Sequence, residues 1–142
     1  MRRKKHACLH PAGFAPADRL PAPPVRIPAP PPLRKAIAID FDGCLCADAY
    51  PNIGEPHWEV IAAALAARLN DGAGLILWTC REGKLLDDAV AACRSWGLTF
   101  DAINESLPDW IARYGTRPRK VGATEYWDDK ARRVMHGKFE RF

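Results

Sequence analysis

An α/β fold with a mainly parallel sheet is what this sequence predicts, and three observations predict it. Near-continuous apolar runs recur at KAIAIDF (35–41), GLILWT (74–79) and Leu98 to Ile103, and such runs suit strands covered on both faces. Stretches with helical spacing lie between them, HWEVIAAALAARLNDG and KLLDDAVAACRSW. Gly72 and Gly97 then close those two stretches, as glycine closes many helices. Strand, helix, strand, helix, strand returns each strand parallel to the last through a right-handed crossover. The expectation is a Rossmann-like three-layer sandwich.

The chain enters this pattern late. Nine of its thirteen prolines fall in the first 32 residues, and residues 1–33 hold six Lys or Arg against one acid, a net +5. Proline at every second or third position of PAPPVRIPAPPP removes backbone donors and fixes φ. Residues 1–33 therefore read as a disordered, basic, Pro-rich lead-in, and 34–142 as one folded domain. The whole chain carries +4, so the folded part is close to neutral. It has no global field to draw nucleic acid. No apolar run follows MRRKK as a signal peptide would require, and none is long enough to span a membrane, so the expectation is cytoplasmic. Five cysteines without a CxxC pair argue against disulfides or a zinc site.

Within the folded part, β-formers 35–41 give the first strand, and Gly43, Pro51, Asn52 and Gly54 make the following segment irregular. Pro56 stands where a first helical turn tolerates it. Trp58, Ile61, Leu65 and Leu69 mark one face of the first helix. Trp58, Trp78 and Trp96 read as core, and Cys80 and Cys93 as small buried residues. Asn104 to Arg119 is a connection with one helical turn near Asp109 to Tyr114. Lys120 to Trp127 is the last strand, and KARRVMHGKFERF reads as a final helix or a frayed end.

In a sheet of this kind ligands lie beyond the carboxyl ends of the strands. Asp40 and Asp42 end the first strand there, Thr79 ends the second ahead of Cys80, Arg81 and Glu82, and Asp128 and Asp129 end the last, with Lys120 just upstream. Four carboxylates in one crevice repel unless a cation lies among them, and oxygen ligands favour a hard divalent ion such as magnesium. Side chains at i and i+2 of a strand point the same way, so Asp40 and Asp42 face one crevice if the extended geometry continues. One carboxylate can attack phosphorus while the other moves the leaving-group proton. Asp40 would be held ionised by the metal and Lys120, and Asp42, past the strand end, would be freer to carry a proton.

DFDG after a buried strand, Thr79, Lys120 and a terminal WDD, in that order, resemble the haloacid dehalogenase superfamily across residues 35 to 130 or so. YPNIGEP and LILWTCREG resemble a small capless subfamily of it. The resemblance implies an Mg2+-dependent phosphatase acting on a phosphate monoester through an aspartyl-phosphate. It makes Asp40 the nucleophile and Asp42 the general acid and base. Thr79 and Lys120 would bind the phosphoryl group, with Arg119, Arg117 and Arg81 as substitutes for the lysine. Asp40, the Asp42 carbonyl, Asp128 and Asp129 would hold the metal. Cys44 departs from the usual Thr or Val, which puts an oxidisable thiol beside the site.

Arg81, Tyr50 and Asn52 are candidates to touch the substrate, as is His57. The intervals 42–57 and 104–119 are too short for a cap domain, so the crevice should be open unless a neighbouring subunit of a homo-oligomer covers it. The expected partner is a small phosphorylated substrate, with no nucleic acid and no membrane. Phosphoryl transfer to another acceptor uses the same residues, and a non-catalytic phosphate- or protein-binding module would keep the same fold.

Overall fold

The computed structural model describes residues 20–140, which fall into two units parted after Pro31. Of the first unit, residues 20–31 form neither helix nor strand and are exposed throughout. The disorder expected of residues 1–19 lies outside the described residues.

The second unit is the α/β domain. Its elements are β1 (Ala36–Ile39), α1 (Trp58–Asp71), β2 (Gly74–Leu77), α2 (Gly83–Ser95), β3 (Ala102–Ile103), α3 (Pro108–Tyr114) and β4 (Glu125–Trp127), followed by a small hairpin of β5 (Val134–Met135) and β6 (Lys138–Phe139). The four main strands form one parallel sheet in the order β3-β2-β1-β4. Chain direction across the sheet reverses at β1. This opens a crevice beyond the carboxyl ends of β1 and β4.

Alternation along the strands supplies two cores, because successive side chains leave opposite faces. Ile37, Ile39, Leu75 and Leu77 pack on one face with Ile61 and Ala64 of α1 and Ala89 and Cys93 of α2. Ala36, Ala38, Ile76 and Ala102 pack on the other with Leu107 and Val121, and Trp110 of α3 leans on them. The result is a Rossmann-like three-layer arrangement. All eight residues of β1 and β2 are buried, as the apolar runs predict. No helix among the described residues is long and apolar enough to cross a membrane.

Several expectations are corrected. β3 is two residues long rather than six, because Gly97 and the polar Thr99 and Asp101 keep 98–101 irregular. Trp58 and Leu69 lie at or near the two ends of α1, and both are exposed. Cys80 is exposed in the loop after β2, whereas Cys93 is buried. The basic end is neither a helix nor frayed through residue 140. His136 and Gly137, both at positive φ, turn β5 back onto β6, the backbone that a two-residue hairpin loop requires.

Candidate active site

The first strand ends abruptly. Asp40 still donates its N–H to the Trp127 carbonyl at 2.9 Å, but at Phe41 the ladder stops. The Phe41 carbonyl accepts from Cys44, Leu45 and Cys46 at 3.0–3.3 Å, so three amides close a turn on one oxygen. The buried Phe41 ring anchors that turn by stacking on Trp96, centroids 6.1 Å apart. Gly43 passes through it at φ +83°, and a Cβ there would run into the Asp129 carboxylate. Glycine is therefore needed twice at this position, for the backbone conformation and for the space.

The turn separates the two aspartates that strand geometry would have paired. Asp40, Asp128 and Asp129 each bring one carboxylate oxygen to within 4.8 Å of the others. Burial pushes the Asp40 carboxyl up to about 6, and the negative charges of Asp128, Asp129 and Asp42 add to the shift against a lowering by the Phe41 N–H. The Asp42 carboxylate is not part of this group. Arg81 grips it in a fork, Nε to Oδ2 at 2.8 Å and Nη2 to Oδ1 at 2.6 Å. The expectation of a free Asp42 is thus replaced by an ion pair. The Asp42 carbonyl, by contrast, accepts no hydrogen bond among the described residues.

Arg81 is 1% exposed. Beyond Asp42 it donates to the carbonyls of Pro51 (3.1 Å) and Asn52 (2.7 Å), and its guanidinium lies over the rings of Phe41 and Tyr50, at 4.9 and 5.2 Å. With those donors committed and no surface of its own, Arg81 does not reach a substrate. It binds the YPN segment to the turn after β1 instead. Of the other proposed substrate contacts, Asn52 contributes its backbone carbonyl here, Tyr50 covers Arg81 with an exposed ring, and His57 holds the Cys44 carbonyl through Nδ1 at 2.9 Å.

Beyond β1 and β4 lies a crevice of about 360 Å³ lined by Asp40, Trp78, Thr79, Cys80, Asn104, Arg119 and Asp128. Thr79 is where the sequence places it. Its Oγ1 accepts the Arg81 N–H at 3.1 Å, which leaves the hydroxyl proton available to an acceptor in the crevice. Lys120 is not among the lining residues, and its ammonium sits 5.7 Å from the Tyr126 ring centroid. Arg119, its neighbour, lines the crevice and has no ion-pair or hydrogen-bond partner among the described residues. Arg117 is paired with Glu105. Cys44 is buried and donates to the Trp127 carbonyl at 3.6 Å; burial and the nearby carboxylates push its thiol up to about 12. A thiol so held resists the thiolate chemistry of oxidation.

Besides Trp78, which reads as core, Asn104 is the lining residue that sequence reasoning missed. Its only signal was position, a polar residue immediately after the third strand, at the sheet end where ligands lie.

No family model and no curated protein matches the chain. A solved structure of a conserved protein from Bacteroides thetaiotaomicron is similar to it, with 37% sequence identity and a TM-score of 0.59, over 70% of this chain and 78% of that one. At that identity and coverage, the chain belongs to the same family as this conserved Bacteroides protein.

Proposed function

We propose that the protein is a magnesium-dependent phosphohydrolase of the haloacid dehalogenase type, acting on phosphate monoesters. The observation that carries this reading is the carboxylate group of Asp40, Asp128 and Asp129, two of which, Asp40 and Asp128, line one crevice with Thr79 and the unpaired Arg119. Acids alone would suit a cation, and a cation-binding set beside a free arginine and a hydroxyl suits a cation together with an anion.

The residues present fit a magnesium ion. Three hard oxygen donors come from two strand ends, the Asp42 carbonyl is uncommitted, and Gly43 leaves room for Asp129. Bound there, the ion would offset the carboxylate repulsion and the charge of a phosphoryl group. Asp40 would attack phosphorus as the carboxylate, forming an aspartyl-phosphate that water then cleaves. The Thr79 O–H and Arg119 would orient the phosphoryl oxygens. Asp42 would act on the leaving-group and water protons only once its carboxyl is released from the Arg81 fork, because both of its oxygens accept from the guanidinium in this structure.

The substrate on this reading is a small phosphorylated molecule, and the free thiols at Cys44, Cys46, Cys80 and Cys93 suit a reducing cytoplasm. The test is phosphate release from an aryl phosphate and a panel of natural phosphate esters, with and without magnesium. Metal-dependent release that Arg119→Ala weakens supports the reading. Release that is independent of magnesium, or silence across the panel with no binding of inorganic phosphate, overturns it.

A further inference from the structure

Asn104 follows β3 directly, at φ +51°, a left-handed conformation that few residues other than glycine adopt and that asparagine tolerates. Two hydrogen bonds run from this residue to the chain leaving β2. Its backbone N–H donates to the Leu77 carbonyl at 2.8 Å, and its Oδ1 accepts the Thr79 N–H at 2.8 Å. The next link is already formed, since Thr79 Oγ1 accepts the Arg81 N–H. Asn104 therefore sets the Thr79 peptide, and Thr79 in turn sets the one that follows. With the Thr79 and Arg81 amides committed, the Cys80 N–H between them has no acceptor among the described residues. The side-chain NH2 of Asn104 also has no acceptor there, and the residue lines the same crevice as Asp40 and Arg119.

We propose that Asn104 is a positioning residue of the crevice, an amide whose Oδ1 fixes the Thr79 turn so that the Thr79 hydroxyl and the Cys80 N–H are presented to a bound phosphoryl group. This rests on the phosphohydrolase reading, which supplies the anion. The positive φ is part of the device. It directs the backbone N–H of Asn104 to Leu77 and its side chain to Thr79, two residues further along the same strand exit.

Two variants separate the parts. Asn104→Gly accepts the backbone conformation and deletes the amide, whereas Asn104→Asp keeps an acceptor oxygen for the Thr79 N–H. Amide hydrogen exchange at Thr79 should quicken on the order of tenfold in Asn104→Gly and stay slow in Asn104→Asp. Magnesium-dependent kcat should fall on the order of tenfold to a hundredfold in Asn104→Gly, a misplacement effect. The double variant Asn104→Gly with Thr79→Ala should lose no more than Thr79→Ala alone, since the two act as one unit. Unchanged Thr79 exchange in Asn104→Gly, or additive losses of kcat, would overturn the proposal. A wild type that releases no phosphate and binds no inorganic phosphate, with the exchange difference intact, would overturn the phosphohydrolase reading and leave the Asn104–Thr79 tie standing.

Discussion

Replacing Arg81 with Met keeps most of the volume and removes the guanidinium. Both Asp42 oxygens then lose their donor, and the Pro51 and Asn52 carbonyls lose theirs. Breaking a buried ion pair by deleting one partner costs about 3–5 kcal/mol. The Asp42 side chain is 18% exposed, and water can reach the two carbonyls, so the lower end of that range, about 3 kcal/mol, is the expectation. At about 4 °C per kcal/mol for a domain of this size, the melting temperature should fall by roughly 12 °C. Asp42→Asn should cost at least as much, because it leaves the guanidinium, 1% exposed, without a counter-charge and with one carboxylate acceptor fewer. The double variant Arg81→Met with Asp42→Asn should recover part of the loss, since the charge that Met left unpaired is gone. Thermal unfolding of the four proteins, followed by circular dichroism, gives the cycle. An Arg81→Met protein that melts within about 2 °C of wild type, or a double variant equal to the sum of the singles, would refute the claim that this pair ties the YPN segment to the turn.

Gly43→Ala should both strain the turn and displace the Asp129 carboxylate, so a stability loss of about 1–2 kcal/mol and weaker magnesium binding are expected together; calorimetric titration with magnesium checks this. Asp128→Ala should likewise weaken magnesium affinity, and an unchanged titration would remove Asp128 from the metal set. The pH dependence has a definite sign. With the Asp40 carboxyl raised from its ordinary 3.8 to about 6, the folded protein holds more protons than the unfolded chain between those values. Stability without metal therefore falls as pH rises through that window. Magnesium must compete with the proton below the upper value. Its stabilising effect on the melting temperature should be larger at about pH 7.5 than at about pH 5, and a larger effect at the lower pH would contradict the assignment.

The sheet was legible because burial on both faces writes itself as an apolar run, and the carboxyl ends of β1, β2 and β4 could be read to within two residues, whereas β4 starts at Glu125 and not at Lys120. Asp40, Thr79, Asp128 and Asp129 came with the strand ends. Asp42 did not, because the i, i+2 rule holds only while the chain stays extended, and three amides converging on the Phe41 carbonyl end that at once. DFDG contained the warning in its glycine. Arg81 looked like a loop arginine free for substrate; its burial depends on Phe41, Tyr50 and two carbonyls brought in from a distant segment, which no local pattern encodes. The exchange of Lys120 for Arg119 has a similar cause. Residues 115–124 form neither helix nor strand, so no period says which of two adjacent side chains enters the crevice. The final hairpin was not legible, since His136-Gly137 is not one of the Asn-Gly or Asp-Gly pairs that mark a two-residue hairpin loop.

On the proposed mechanism, Asp40 is the group that meets phosphorus. Acid quenching of the enzyme during turnover of a phosphate ester in magnesium, followed by digestion and mass mapping, asks that directly. The expected result is an acid-stable, base-labile phosphoryl group on the peptide that carries Asp40, absent without magnesium and absent in Asp40→Asn. Turnover that persists in Asp40→Asn, with no phosphoryl group on that peptide in wild type, would contradict it.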